Sequence, residues 1–269
     1  MTHYEVRAYN AATASENKIH DDAVARSYGF DGGLVPGVTV YAYLTHPVVA
    51  ELGRAWLERG TMTTRFVRPC YDGDHVIVDT DPRGDVDVPT LDLTALRAAA
   101  GPADHVVATA TASLPAIRPR PPSLDEYPAA PLPTARVPAT EHDLAALGTL
   151  GSWEGAFHAE HAPAFLDEIG EDLPLYRDGG PAHPGYLLLA ANWIFGANVR
   201  LGPWMHVGSD VTNYGVVSDG DRVSTRGRVA GLFQRKGHRF VDLDLLMVAD
   251  DARPVVHVRH TAIYEIARR

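Results

Sequence analysis

Ser15-Glu16-Asn17-Lys18-Ile19-His20-Asp21-Asp22, then Tyr28-Gly29-Phe30-Asp31-Gly32-Gly33-Leu34-Val35-Pro36-Gly37 and an apolar run through Leu44, is the stretch from which the fold can be read. Asp21 to Tyr28 spells a short helix stopped at Gly29, the residue type that most easily turns left-handed past a helix end. Val38, Tyr41, Leu44, Val48 and Leu52 recur at spacings of three and four, the period of a helix buried along one face. Pro36-Gly37 marks its start, because a first-turn proline lacks only an N–H that has no helical partner anyway. Pro47 predicts a kink or a break inside it. The first amides of such a helix form a ready anion or oxyanion site. His20, whose ring titrates near neutral pH, lies a short loop upstream.

Outward from this stretch, Thr2 to Tyr9 alternates weakly as a strand, and strands are expected at Thr61–Arg68, His75–Thr80, Leu91–Ala99 and His105–Leu114. Asp72-Gly73-Asp74 is a turn between the first two of these. Pro115 to Pro138 includes Pro119, Pro121, Pro122, Pro128, Pro131 and Pro133, a density that no helix or central strand accepts. It reads as an extended, fairly stiff connector able to cross a domain surface. Beyond it the same grammar returns: a strand at Thr149–Phe157, a short helix at Ala162–Ile169, and an apolar helix opened by His183-Pro184-Gly185 and running through Val199. Strands at Trp204–Val217, Arg222–Phe233, Arg239–Ala249 and Val255–Ile266 complete it. Pro36-Gly37 answers Pro184-Gly185, Asp72-Gly73-Asp74-His75-Val76 answers Asp219-Gly220-Asp221-Arg222-Val223, and Thr111-Ala112 answers Thr261-Ala262. Matched offsets at three separated points predict two copies of one strand–helix–four-strand unit. A buried helix followed by antiparallel strands is an α+β arrangement with the sheet wrapped round the helix. Pairing the two sheets edge to edge would remove an exposed strand edge. The expected units are 1–114 and 141–269, joined by the connector 115–140.

The 269 residues suit two units of this size, and 45% apolar with 22% charged residues is ordinary globular composition. A net charge of −10 argues against nucleic acid or an anionic membrane as the main partner, though a local basic patch for a phosphorylated cofactor tail remains compatible. The lone Cys70 rules out an internal disulfide framework, suits a reducing compartment and reads as packing rather than nucleophile. There is no signal-like start and no run long enough for a membrane span, so a soluble cytoplasmic protein is expected. The remaining histidines, among them His46, His183, His206, His238 and His260, fall at spacings that match no zinc motif; His158-x-x-His161 has no partner pair. Arg235-Lys236-x-His238-Arg239 is a basic run in an expected hairpin, either a solvated turn or a holder of a phosphopantetheine or nucleotide phosphate.

Asn17-x-x-His20-x-Asp22, Gly29-Phe30 and the Gly-x-x-Pro36-Gly37 helix entry resemble the MaoC-like, R-specific enoyl-thioester hydratases and dehydratases of the hotdog superfamily. Arg65-Phe66-x-x-Pro69-x-x-x-Gly73-Asp74 is similar to the strand and turn after that family's central helix. Carried to the second half by the duplication, the resemblance implies a double hotdog and a homodimer. It implies a hydro-lyase of fatty acid metabolism that hydrates trans-2-enoyl thioesters or dehydrates 3-hydroxyacyl thioesters on coenzyme A or acyl carrier protein. No metal or redox cofactor is implied. The family pattern Asp-x-Asn-Pro-x-His departs here: its Asp falls on Ser15 and its Pro on Lys18, with Glu16 the nearest upstream carboxylate. Either Glu16 has taken over the acid/base role, or Ser15 holds the water, or hydratase activity is lost. The second half has no matching histidine in Phe165-Leu166-Asp167-Glu168-Ile169-Gly170, so it is expected to be structural and to lend one wall of the pocket.

On this reading His20 is the base and acid, with Glu16 or Ser15 as its partner. By its residues alone, Asn17-x-x-His20 is a capped helix start: with Asn17 as N-cap of a Lys18–Tyr28 helix, His20 sits in the first turn, where the dipole favours the neutral ring. Asn17 acts as cap or orienter, and the Gly37 N–H meets the thioester oxygen. Val35 and Gly33 complete the expected substrate-binding set. The alternatives are a hotdog thioesterase, with Glu16 activating water, and a non-catalytic thioester-binding subunit.

Overall fold

A computed structural model describes residues 2–83, 88–98 and 106–267. The first half runs β1 (Thr2–Arg7), α1 (Asp22–Ser27), α2 (Gly37–Arg59), β2 (Thr61–Phe66), β3 (His75–Arg83), β4 (Thr90–Arg97) and β5 (Val106–Ser113). The connector includes β6 (Val137–Pro138) and leads to α3 (Glu141–Ala146). The second half is β7 (Thr149–Ala156), α4 (Ala162–Glu168), α5 (Pro184–Asn198), β8 (Val199–Arg200), β9 (Met205–Asn213), β10 (Arg222–Arg235), β11 (His238–Ala249) and β12 (Arg253–Glu265). Of the expected elements, the strand ends at Ala99 and His105 lie outside the described residues, as do the outer ends of the two units at 1, 268 and 269.

Ten strands make one antiparallel sheet in the order β1-β3-β4-β5-β2-β9-β12-β11-β10-β7. Matching β1 with β7, β2 with β9, β3 with β10, β4 with β11 and β5 with β12, the order reads alike from either end, which is what a duplicated unit requires. The seam is β2 against β9, with Thr63 opposite Asp210 and Thr61 opposite Thr212, so each half covers the other's inner edge strand. Short β6 pairs in parallel with β8, away from this sheet.

Within the sheet, α2 and α5 lie side by side in one apolar core that runs through both halves. The spacing suggests one buried face for α2, but Val40 through Thr45 are all buried, because sheet and α5 together surround it. The break also falls elsewhere than at Pro47. Pro47 is accommodated inside the helix, and the non-helical residue is Gly53 (φ 64°, ψ −162°), where a side chain would be strained. Asn17 caps only a single 3-10 turn, Lys18–His20, and a new cap at Asp21 starts α1. The continuous helix from Lys18 therefore does not form. Short α3, not foreseen, is capped by Thr140.

The Pro-rich connector crosses the outer face of the second half and is tied there. The Tyr127 hydroxyl donates to Asp244 Oδ1 (2.9 Å), which also receives His257 Nε2 (2.7 Å), while Arg228 pairs with the other oxygen (2.5 Å). Burial pushes the Asp244 carboxyl up, but the His257 and Tyr127 hydrogen bonds outweigh it and hold the group at about 2.

Candidate active site

His20 closes the 3-10 turn, and its position depends on the Gly-rich loop that precedes α2. The Leu34 N–H donates to Ile19 O (3.1 Å), the Val35 N–H to Cys70 O (2.8 Å) and the Gly33 N–H to Asp22 Oδ1 (2.8 Å). A Cβ on Gly33 would lie 2.2 Å from the His20 carbonyl oxygen, so only glycine lets the two segments approach. Locked there, Leu34 O faces His20 Nδ1 at 2.6 Å. A carbonyl only accepts, so the ring hydrogen is on Nδ1 and Nε2 carries the lone pair. Burial lowers the His20 pKa, against a smaller upward pull from the Leu34 hydrogen bond. It is burial, and not a helix dipole, that favours the neutral ring.

Asn17 is fixed from both sides. Its Oδ1 accepts from the N–H groups of Trp204 (3.1 Å) and Ile19 (3.3 Å), which leaves Nδ2 to donate to Trp204 O (3.0 Å) and toward His20 Nε2 (3.3 Å). One carboxamide thus orients the His20 ring and joins the two halves of the chain.

The expected carboxylate partner is not there. Glu16 is exposed and turned to Arg136 of the connector, with oxygens 2.7 and 2.9 Å from its guanidinium. That hydrogen bond keeps its pKa lowered, and Glu16 does not line the cavity. The Ser15 hydroxyl donates to Asn17 O (3.2 Å) within its own loop and is likewise not on the wall. The structure thus brings neither Glu16 nor Ser15 to the cavity wall: the nearest upstream carboxylate is captured by an arginine of the connector.

His20, Asn17, Val35 and Gly37 share one cavity of about 740 Å³ between the two halves. The N–H of Gly37, first residue of α2, has no acceptor among the described residues. Beside it stands His206 of β9, so close that a Cβ on Gly37 would meet His206 Nδ1 at 2.9 Å. His206 Nε2 faces Gly208 O (3.1 Å) and Ser209 Oγ (2.8 Å), so its hydrogen is on Nε2 and its buried Nδ1 has no partner. The ring stacks on His260 with centroids 4.0 Å apart. Burial, with His260 adding to it, drives the His206 pKa well down, and burial takes His260 to about 3. Both rings are neutral props behind the helix start. Cys70 also lines the cavity, but burial pushes its thiol up to about 12, which disarms it as a nucleophile.

The second half supplies Trp204, His206, Phe233 and Thr261 to the cavity wall. At its own equivalent helix start the space is reduced to about 20 Å³ beside Pro184, closed by Tyr41, Leu57, Leu187 and Leu188, and about 50 Å³ beside His183, closed by Phe165, Leu166 and Tyr176. His183 there caps α5, its Nδ1 accepting from the Gly185 N–H (3.0 Å), while its Nε2 donates to buried Glu171 (3.2 Å). Sequence reading missed His206, Trp204 and this His183–Glu171 pair. No motif marks them: Trp204 and His206 reach Asn17 and Gly37 from the other half of the chain, and His183 meets Glu171 through the irregular segment before α5.

No protein-family model and no curated protein matches the sequence. Solved structures do match in fold. A protein described as a MaoC domain dehydratase from Chloroflexus aurantiacus J-10-fl has a TM-score of 0.62 at 13% identity, over 99% of this chain and 93% of its own. A conserved protein of Mycobacterium tuberculosis described as having a double hotdog fold gives 0.60 at 16%, over 98% and 96%. A protein from Thermobifida fusca described as a thioesterase II gives 0.52 at 16%, over 98% and 92%. With the palindromic strand order and the paired helices, these likenesses establish that the chain has the double hotdog fold, the fold of MaoC-like dehydratase proteins.

Proposed function

We propose that this protein is an enzyme of acyl thioesters, and specifically a hydro-lyase that interconverts trans-2-enoyl and 3-hydroxyacyl thioesters carried on coenzyme A or a carrier protein. The observation that supports it is one cavity holding both a neutral His20, whose Nε2 lone pair meets only a long 3.3 Å contact from Asn17 Nδ2 that a water can replace, and the unpaired Gly37 amide. In the hydration direction Nε2 takes a proton from water as the water oxygen bonds to the β-carbon. The alkene electron pair moves toward the carbonyl, and the resulting enolate oxygen is held by the Gly37 N–H; one such donor is typically worth about 3 kcal/mol. The protonated ring then returns its proton to the α-carbon, so water is added across the double bond and His20 is restored. One imidazole serves as base and acid in turn, which suits a site that neither Glu16 nor Ser15 enters.

Loss of enoyl absorbance, with mass spectrometry of the product, tests the assignment: addition of one water with the thioester intact is expected. Free acid and thiol would identify a thioesterase instead. His20→Ala should lower turnover by at least about 100-fold with folding intact, and full activity in that variant would end the proposal. A second reading, thioester binding without turnover, is favoured by the missing carboxylate; measurable binding with no product from any enoyl or hydroxyacyl thioester would establish it.

A further inference from the structure

One hairpin of the second half, β10 with β11, contributes to the cavity wall. The pairing of β10 with β7 ends at Arg228 opposite Thr149, so the strand's remaining residues are bonded only to β11. A register slip between Val229 and Gly231 bends this overhang. Its tip is the two-residue turn Lys236-Gly237, both with positive φ (51° and 81°). Asn, Asp or Gly normally fills the first of these positions; lysine there is strained by about 1 kcal/mol, a cost that points to a use for its side chain.

Six hairpin residues line the same cavity as His20: Phe233, Arg235, Lys236, His238, Phe240 and Asp242. Phe233 is 44% exposed and lies flat on Phe240, with centroids 4.8 Å apart and planes 10° apart, so its other face is open. Arg235 and Lys236 are exposed and have no carboxylate partner among the described residues. His238 Nδ1 accepts the Ala267 N–H (3.0 Å), which leaves Nε2–H as a donor. Asp242, a wall carboxylate, accepts the Thr261 hydroxyl on Oδ1 (2.6 Å) and keeps its negative charge, against the two cations at the hairpin tip. In a chain of net charge −10, donors grouped beside an open aromatic face are a local reversal of sign.

We infer that the β10–β11 hairpin is the recognition site for the nucleotide end of a coenzyme-A-type thioester. Arg235 and Lys236 take its phosphates and Phe233 takes the face of its adenine. This rests on the acyl-thioester reading of the cavity. A phosphopantetheine arm on a carrier protein has one phosphodiester and no base, so it would engage the cations but leave Phe233 idle.

Calorimetric titration of the intact protein with coenzyme A, adenosine 3′,5′-bisphosphate, 4′-phosphopantetheine and pantetheine tests the assignment without needing catalysis. Coenzyme A and the bisphosphate should bind, and the surface double variant R235A/K236A should weaken both by about tenfold or more. F233A should weaken both severalfold, and pantetheine binding should change in neither. Undiminished binding in these variants, or no binding of the bisphosphate to the native chain, overturns the inference. So does 4′-phosphopantetheine binding as tightly as coenzyme A and indifferent to F233A, which identifies a carrier-protein arm. Variant-sensitive bisphosphate binding without turnover of any thioester keeps the hairpin assignment and removes the catalytic one. Enoyl-pantetheine turned over with the same KM as the coenzyme A thioester does the reverse.

Discussion

The single ring hydrogen of His20 is committed to Leu34 O, and burial holds the pKa below its ordinary value. A base must be neutral to act, so lowering its pKa extends activity toward acid. The acid limb of kcat/KM against pH should therefore have its midpoint below about 6.5, the value of a free imidazole. A midpoint at or above that value would show that the ring which titrates is not this buried one. The placement of His20, Asn17 and Gly37 on one cavity was legible in the sequence because it is set within about twenty residues, by a cap, a tight loop and a helix start. Gly33, expected to bind substrate, is not on the wall and serves the close approach to the His20 carbonyl. Glu16 misled because closeness along the chain does not decide which way a carboxylate turns; Arg136, from the connector, does that. His206 was illegible for the same reason in reverse: its place beside Gly37 follows from the β2–β9 register.

At the scale of elements, the join between α2 and the start of α5 is polar at its centre. Glu171, 2% exposed, receives His46 Nδ1 of α2 (2.8 Å), His183 Nε2 at the α5 cap (3.2 Å) and the Leu173 N–H (2.8 Å). His46 in turn stacks on Tyr4 of β1 at 3.7 Å. Burial pushes Glu171 up, but the His183 and His46 hydrogen bonds outweigh it and bring the group to about 2. Glu171→Gln keeps the shape but loses the charge on which both rings converge. It should cost about 1–3 kcal/mol of unfolding free energy, read from the shift of the urea midpoint; an unchanged midpoint would mean that the knot contributes nothing. Strand and helix positions were largely legible from periodicity, but the end of α2 was not. Proline predicts a break by removing an N–H, whereas this helix bends where Gly53 can adopt a positive φ.

Over the whole molecule, the histidines set the response to acid. Burial lowers His20, His183, His206 and His260, so the unfolded chain binds more protons than the native one once pH falls below about 6.5. Their contribution is complete above that pH and declines steadily beneath it, with His260 still declining toward about 3. Glu171 and Asp244, both depressed to about 2, are stabilising above their ordinary values of 4.5 and 3.8 and lose that contribution only as pH falls toward 2. Unfolding free energy should accordingly begin to drop between pH 7 and 5, before Glu171 or Asp244 titrates. A flat profile across that range in urea titrations would contradict this account.

Fusion of two like units into one polypeptide has a further effect. Two separate identical subunits would carry every substitution twice, so neither could fill its cleft without closing its twin's. Here the two copies are separate stretches of one chain and can diverge, and the cleft beside Pro184 has been packed with leucine and tyrosine while the one beside Pro36 stays open. Each polypeptide should consequently take up a single acyl ligand, and a titration endpoint of two per chain would mean that the packed cleft still opens.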